Sequence, residues 1–96
     1  MTQNELLDKL SSAKTDLKKK FGIEEMALFG SYARDEAREE SDVDIAILKM
    51  DLKSGFDIIR AKNYLQEYLN RDIDIGTFNS MKTFIKKRIK KDFIYV

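Results

Sequence analysis

Ninety-six residues, 43% of them hydrophobic and 36% charged, suit one soluble domain around one modest core, and residues 1–96 read as that single domain. The chain has neither cysteine nor histidine, which excludes a disulfide framework, thiolate or imidazole metal sites and every histidine-dependent triad, so catalysis must run on carboxylates and metal. A net charge of +1, the lack of any apolar run near the roughly 20 residues of a membrane helix, and a start without a signal peptide's pattern lead to one expectation: a cytoplasmic protein that binds no membrane and does not bind nucleic acid directly.

In chain order, Leu6, Leu10, Ala13, Leu17 and Phe21 recur at helical spacing. Thr2 and Glu5 form a capping box, so residues 3–20 read as an amphipathic helix that Gly22 stops. Met26 to Phe29 is a short apolar run, read as a buried strand that ends at Gly30. Ser31 to about Glu39 favours helix, loosening from Asp35 onward. Residues 42–49 alternate, with Asp42, Asp44, Ala46 and Leu48 on one face and Val43, Ile45 and Ile47 on the other. Asp51 to Ser54 reads as a turn, and Ser54 with Asp57 as the cap of a helix that runs to Leu69. Ile58, Ile59, Leu65, Tyr68 and Leu69 are expected on that helix's buried side. Asp72 to Phe78 reads as a third strand, and Ser80 as the cap of a last helix from Met81 to about Lys90. Phe93 to Val96 is either a short edge strand or a docked tail. Strands that alternate with helices predict an α/β (α+β) domain, a small sheet with flanking helices. A sheet of three strands is minimal, so an apolar helix face is expected to need cover from another chain, of the same kind or a different one.

The chemistry concentrates in Gly30-Ser31, ten residues, then Asp42-Val43-Asp44, with a further acidic strand at Asp72-Ile73-Asp74. A Gly-Ser turn that opens a helix seats a phosphate, because unpaired backbone N–H groups and the helix dipole both favour an anion. Here Gly30 would let the backbone approach a phosphate closely, and Ser31 would donate its hydroxyl and N–H. Carboxylates at i and i+2 of a strand share a face. With a third from a neighbouring strand they make an all-oxygen site of the kind Mg²⁺ accepts. Gly30-Ser31 alone reads first as a plain strand-to-helix turn, and it is the spacing to Asp42 and Asp44 that turns the reading toward a phosphate seat. Asp42 and Asp44 alone read as an exposed sheet edge, except that Ile45-Ala46-Ile47-Leu48 make their strand look central, where two like charges need a cation between them. Arg34 either reaches a phosphate or pairs with a carboxylate such as Asp42. Lys82, Lys86, Lys87, Arg88, Lys90 and Lys91 form a basic helix, read as a solvated face, and Tyr32, Tyr64, Tyr68 and Tyr95 as core or interface residues.

The string from Gly30 to Arg34, through Ser41-Asp42-Val43-Asp44-Ile45, resembles the minimal nucleotidyltransferases of the DNA polymerase β-like superfamily. Their signature is Gly-Ser, ten residues, Asp-x-Asp, and the spacing matches. The resemblance covers Ile23 to the C-terminus and places Asp74 at the family's third carboxylate. Relatives often carry Gly after the arginine, where this chain has Asp35; Asp tolerates turn conformations, so the chemistry is untouched. The resemblance implies a nucleotidyltransferase fold with a mixed sheet, and transfer of a nucleoside monophosphate from an NTP, ATP foremost, to an acceptor hydroxyl. It assigns Asp42, Asp44 and Asp74 to two Mg²⁺ ions, Asp74 also to deprotonation of the acceptor, and Gly30, Ser31 and Arg34 to the nucleotide. It further implies a HEPN-domain partner, the toxin of a toxin–antitoxin pair, adenylylated on tyrosine. The competing reading is a catalytically weak module that neutralises its partner by occlusion.

Overall fold

The computed structural model describes residues 1–51 and 57–96. The predicted cap at Ser54 lies outside the described residues. Helix α1 spans Gln3–Phe21, one residue longer than expected. The capping box is present: the Glu5 N–H donates to Thr2 Oγ1 at 3.1 Å, and the Thr2 N–H to Glu5 Oε1 at 3.4 Å. Leu6, Leu10, Ala13, Leu17 and Phe21 are all buried, as the periodicity predicts. Gly22 closes the helix at φ 71°, donating its N–H to carbonyls of the last turn, and a side chain there would strike the Asp51 carbonyl.

Strand β1 (Ile23–Phe29) begins three residues earlier than predicted. Its register against β2 (Val43–Met50) shifts around Glu25, which lets Glu24 and Glu25 both stay exposed before the apolar run resumes. Between them α2 (Gly30–Ala33) is a single turn and not a helix to Glu39. Asp35 enters the left-handed region at φ 58°, a conformation that Gly at this place would adopt without strain. The Gln3 side-chain amide, from the start of α1, donates to the Tyr32 and Ala33 carbonyls at the end of this turn, at 2.9 and 3.0 Å.

Helix α3 (Asp57–Leu69) buries Asp57, Ala61, Leu65 and Leu69, a clean i, i+4 stripe. That phase corrects the predicted face: Ile59 is 56% and Tyr68 42% exposed, Ile59 lying on the far side of the helix from the stripe. Strand β3 (Ile73–Thr77) follows, then a 3₁₀ turn at Phe78–Ser80. Helix α4 (Thr83–Lys90) starts later than predicted, and Ser80 does not cap it: Lys82 is the N-cap residue, without a side-chain bond, while the Ser80 hydroxyl pairs with that of Thr77. Phe93 to Val96 resolves as an edge strand, β4 (Ile94–Tyr95).

The described strands form one mixed sheet in the order β3-β2-β1-β4. β2 is parallel to β3 and antiparallel to β1, which pairs antiparallel with β4. The expectation that the Asp-bearing strand is central therefore holds. Helices α1 and α3 pack together over one face, and Val43, Ile45 and Ile47 point into that core. On the other face Phe29, Phe78 and Tyr95 all pack on Phe93. Among the described residues no helix is long and apolar enough to cross a membrane.

Candidate active site

The register of the sheet builds the acidic site. Asp44 pairs with Asp74 on one side and with Phe29 on the other, so these three side chains form one row across the face opposite α1 and α3. Asp42 lies one residue before β2 and shares that face by alternation. Asp42 and Asp74 are exposed, whereas Asp44 is half-buried at the strand centre. Among the described residues, no three carboxylates close into a preformed metal cage. They present instead an open row of oxygens, which fits a hard divalent cation that keeps several waters and shares phosphate oxygens with its substrate.

The electrostatics agree with that chemistry. Burial, then the negative charges of Asp74 and Asp42, push the Asp44 carboxyl up to about 6 against a weaker opposing pull from Arg34. A carboxylate so raised is one that a bound cation would relieve. The sign follows from linkage. The folded-state value lies above the ordinary 3.8, so folding favours the protonated form; this contribution is complete below pH 4 and is lost as pH climbs through about 6. We therefore expect the stability difference between Asp44→Asn and the parent, both metal-free, to grow in the variant's favour between pH 4 and 6.5. It should level off at about 1–2 kcal/mol, allowing for solvent screening at a half-buried group. Metal must displace the same proton, so stabilisation of the parent by Mg²⁺ should be weak below pH 6 and strengthen above it. Thermal melts across that range check both statements; a difference independent of pH would mean that Asp44 does not titrate there.

Gly30 is tied to this carboxylate. It sits at φ 75°, and a Cβ built on it would overlap Asp44 Oδ2 and lie 2.9 Å from Cγ. The room left by the missing side chain is thus filled by the carboxylate itself, a demand for glycine that needs no bound phosphate. Ser31 follows at the start of α2, half-buried. With four residues that turn carries little macrodipole, so any phosphate seat here rests on its free first-turn N–H groups.

A cleft of about 290 Å³ opens beside this turn. Gly30, Ser31, Arg34 and Asp44 line one side, and Arg88 and Asp92 reach it from the C-terminal segment. Of the two roles left open for Arg34, the structure shows pairing, with partners other than Asp42: Nη1 donates to Asp92 Oδ2 at 2.8 Å and Nε to Glu36 Oε2 at 3.2 Å. These two carboxylates, Asp92 first, hold the guanidinium above its usual range. Asp42 and Asp74 lie outside the cleft lining. Sequence reasoning had merged Arg88 into a solvated basic face and passed over Asp92. The signal was slight but present: Asp92 is the single acidic residue after Asp74, and it follows a basic run at i+4 from Arg88.

A family model described as a nucleotidyltransferase domain matches residues 10–96, which contain every residue of this site. The chain is a nucleotidyltransferase-family protein. As in the rest of that family, a nucleoside triphosphate and a divalent metal are the reagents. The protein adenylyltransferase MntA of Thermococcus cleftensis is 34% identical to it, over 100% of this chain and 97% of that protein. Among solved structures, a minimal nucleotidyltransferase superimposes with a TM-score of 0.78 at 27% identity, covering 98% of this chain and 95% of the other. A toxin–antitoxin crystallised with AMP-PNP has a TM-score of 0.72 at 24% identity, over 92% of this chain and 69% of that one, a likeness of fold alone. The nucleotidyltransferase fold expected from the Gly-Ser and Asp-x-Asp spacing is the fold observed.

Proposed function

We propose that this nucleotidyltransferase moves AMP from ATP onto a hydroxyl of a partner protein, a tyrosine of a HEPN-domain toxin, and so acts as an antitoxin. The observation that carries the reading is the in-register Asp44–Asp74 pair beside the Gly30–Ser31 turn. Asp42, Asp44 and Asp74 are the residues that would hold Mg²⁺, which when bound neutralises charge on the transferring phosphoryl group and on the leaving pyrophosphate. Gly30 and Ser31 seat the terminal phosphates at the mouth of the cleft. Asp74, exposed on edge strand β3, takes the proton from the acceptor hydroxyl. The acceptor oxygen bonds to the α-phosphorus as the bond between that phosphorus and the bridging oxygen breaks, and pyrophosphate leaves. The exposure of Asp74 and Asp42 supports an acceptor presented by a macromolecule over an open face. The name of the Thermococcus relative supports a protein as that acceptor, and the toxin–antitoxin neighbour a toxin. The HEPN identity and the tyrosine follow from the family resemblance.

The test mixes the protein, Mg²⁺ and ATP with the product of the adjacent gene and reads intact mass. The expected result is a partner heavier by one AMP, on tyrosine. Asp42→Asn/Asp44→Asn should bind the partner and leave its mass unchanged, because two neutral amide oxygens hold a hard divalent cation far more weakly than two carboxylates. A parent protein that silences its partner without modifying it, matched by the double variant, would replace the enzyme with the occluding module.

A further inference from the structure

Of the two arginines lining the cleft, one is committed and the other is not. Arg34 spans Asp92 and Glu36. Arg88, on the last turn of α4, has no ion-pair partner among the described residues, yet it faces the space that Gly30, Ser31 and Asp44 bound. Helix α4 buries no residue of its own, so apolar packing alone does not explain how Arg88 comes to be there. Two contacts just beyond the helix hold it. The Asp92 carboxylate takes the 2.8 Å bond from Arg34, and Phe93 packs its ring on Phe29 and Phe78 at centroid distances of 6.2 and 5.3 Å. Asp92 sits one helical turn after Arg88, and its N–H closes on the Ile89 carbonyl at 3.0 Å, so whatever fixes Asp92 fixes the face that Arg88 presents.

We infer that Arg88 is the side chain that grips the terminal phosphates of the nucleotide, and that Arg34 is a positioning residue, anchored to Asp92 so that α4 holds Arg88 over the cleft. This rests on the nucleotide-binding reading above and takes the phosphate away from Arg34, for which the sequence leaves both a phosphate and a carboxylate open as partners. An unpaired guanidinium keeps its full fork of donors for a polyphosphate, whereas one already bonded to two carboxylates must break those bonds first. The grip discriminates: a triphosphate reaches Arg88 and a monophosphate seated by the α-phosphate does not.

Equilibrium titration with ATP and with AMP, each with Mg²⁺, separates the possibilities on the intact protein. Parent protein should bind ATP more tightly than AMP; failure there would count against the nucleotide-binding reading itself. Arg88→Ala should weaken ATP by about tenfold or more and AMP by less than about twofold, the scale of a lost charge-assisted contact. Arg88→Lys should recover only part, since an ammonium lacks the bidentate fork. Asp92→Asn should weaken ATP several-fold through loss of the anchor, and Arg88→Ala/Asp92→Asn should be no worse than Arg88→Ala alone. The opposite outcome overturns the inference. If Arg34 is itself the phosphate ligand, Asp92→Asn frees it and ATP binds more tightly, while Arg88→Ala leaves the ATP affinity of a fully folded protein unchanged.

Discussion

Asp44→Asn should lower nucleotidyl transfer by at least about 10²–10³-fold while raising the melting temperature of the metal-free protein at neutral pH. The two effects have one cause. Asp44 is held at the centre of the sheet, beside Asp74 and near Asp42, where its charge is unfavourable without a cation. An amide of nearly the same shape removes the repulsion and removes the ligand with it. For the parent, saturating metal and ATP should add about 2–3 kcal/mol, as for a ligand at roughly 100 times its dissociation constant. The variant should show almost none of that increment. Calorimetric melts with and without Mg²⁺ and ATP read both halves. A clear fall in metal-free stability would instead identify Asp44 as a hydrogen-bonding structural group and remove the reason to place metal there.

Gly30→Val should be the most damaging substitution in the turn, and its damage should reach folding as well as nucleotide binding. The residue stands at φ 75°, where a side chain costs about 1–2 kcal/mol, and its Cβ would occupy the volume of the Asp44 carboxylate. β-Branching adds to the overlap, so a loss of about 2–4 kcal/mol is expected. Close approach of a phosphate alone would have led one to expect a variant that folds normally and binds ATP poorly. The clash is testable through its partner. In a Gly30→Ala background, Asp44→Ala should restore stability by more than the same substitution adds to the parent, because it relieves overlap as well as repulsion. Equal gains in the two backgrounds would show that Gly30 and Asp44 do not compete for space.

Elements whose causes lie within a few neighbouring residues were legible without a structure. The capping box at Thr2 and Glu5, the i, i+4 stripe from Leu6 to Phe21 and the stop at Gly22 are local physics, and α1 follows them to within one residue. Alternation through residues 42–49 put Asp44 on the face opposite Val43, Ile45 and Ile47, and the apolar run from Ile45 to Leu48 marked the strand as central, which the sheet order bears out. The ten-residue interval between Gly30-Ser31 and Asp42 was enough to indicate the family that the match over residues 10–96 establishes. Where local preference lacked a clear phase, as along α3, the buried side was read only in part: Leu65 and Leu69 are buried and Ile58 packs on the core, but the stripe continues through Asp57 and Ala61, and Ile59 and Tyr68 are exposed.

What only the tertiary structure decided depends on partners far apart in the chain. The turn at Gly30 ends after four residues, where Asp35 goes left-handed, and Gln3, 29 positions earlier, donates to the Tyr32 carbonyl at that end. Arg34 chooses Asp92, 58 positions later, over the nearer Asp42. Asp44 meets Asp74 only because β2 and β3 pair in parallel in that register. Spacing and periodicity report which residues share an element face, since helix and strand geometry are set by the backbone nearby. Which faces then meet is settled when the core under α1 and α3 closes, and the side-chain bonds that reach across the fold are settled with it.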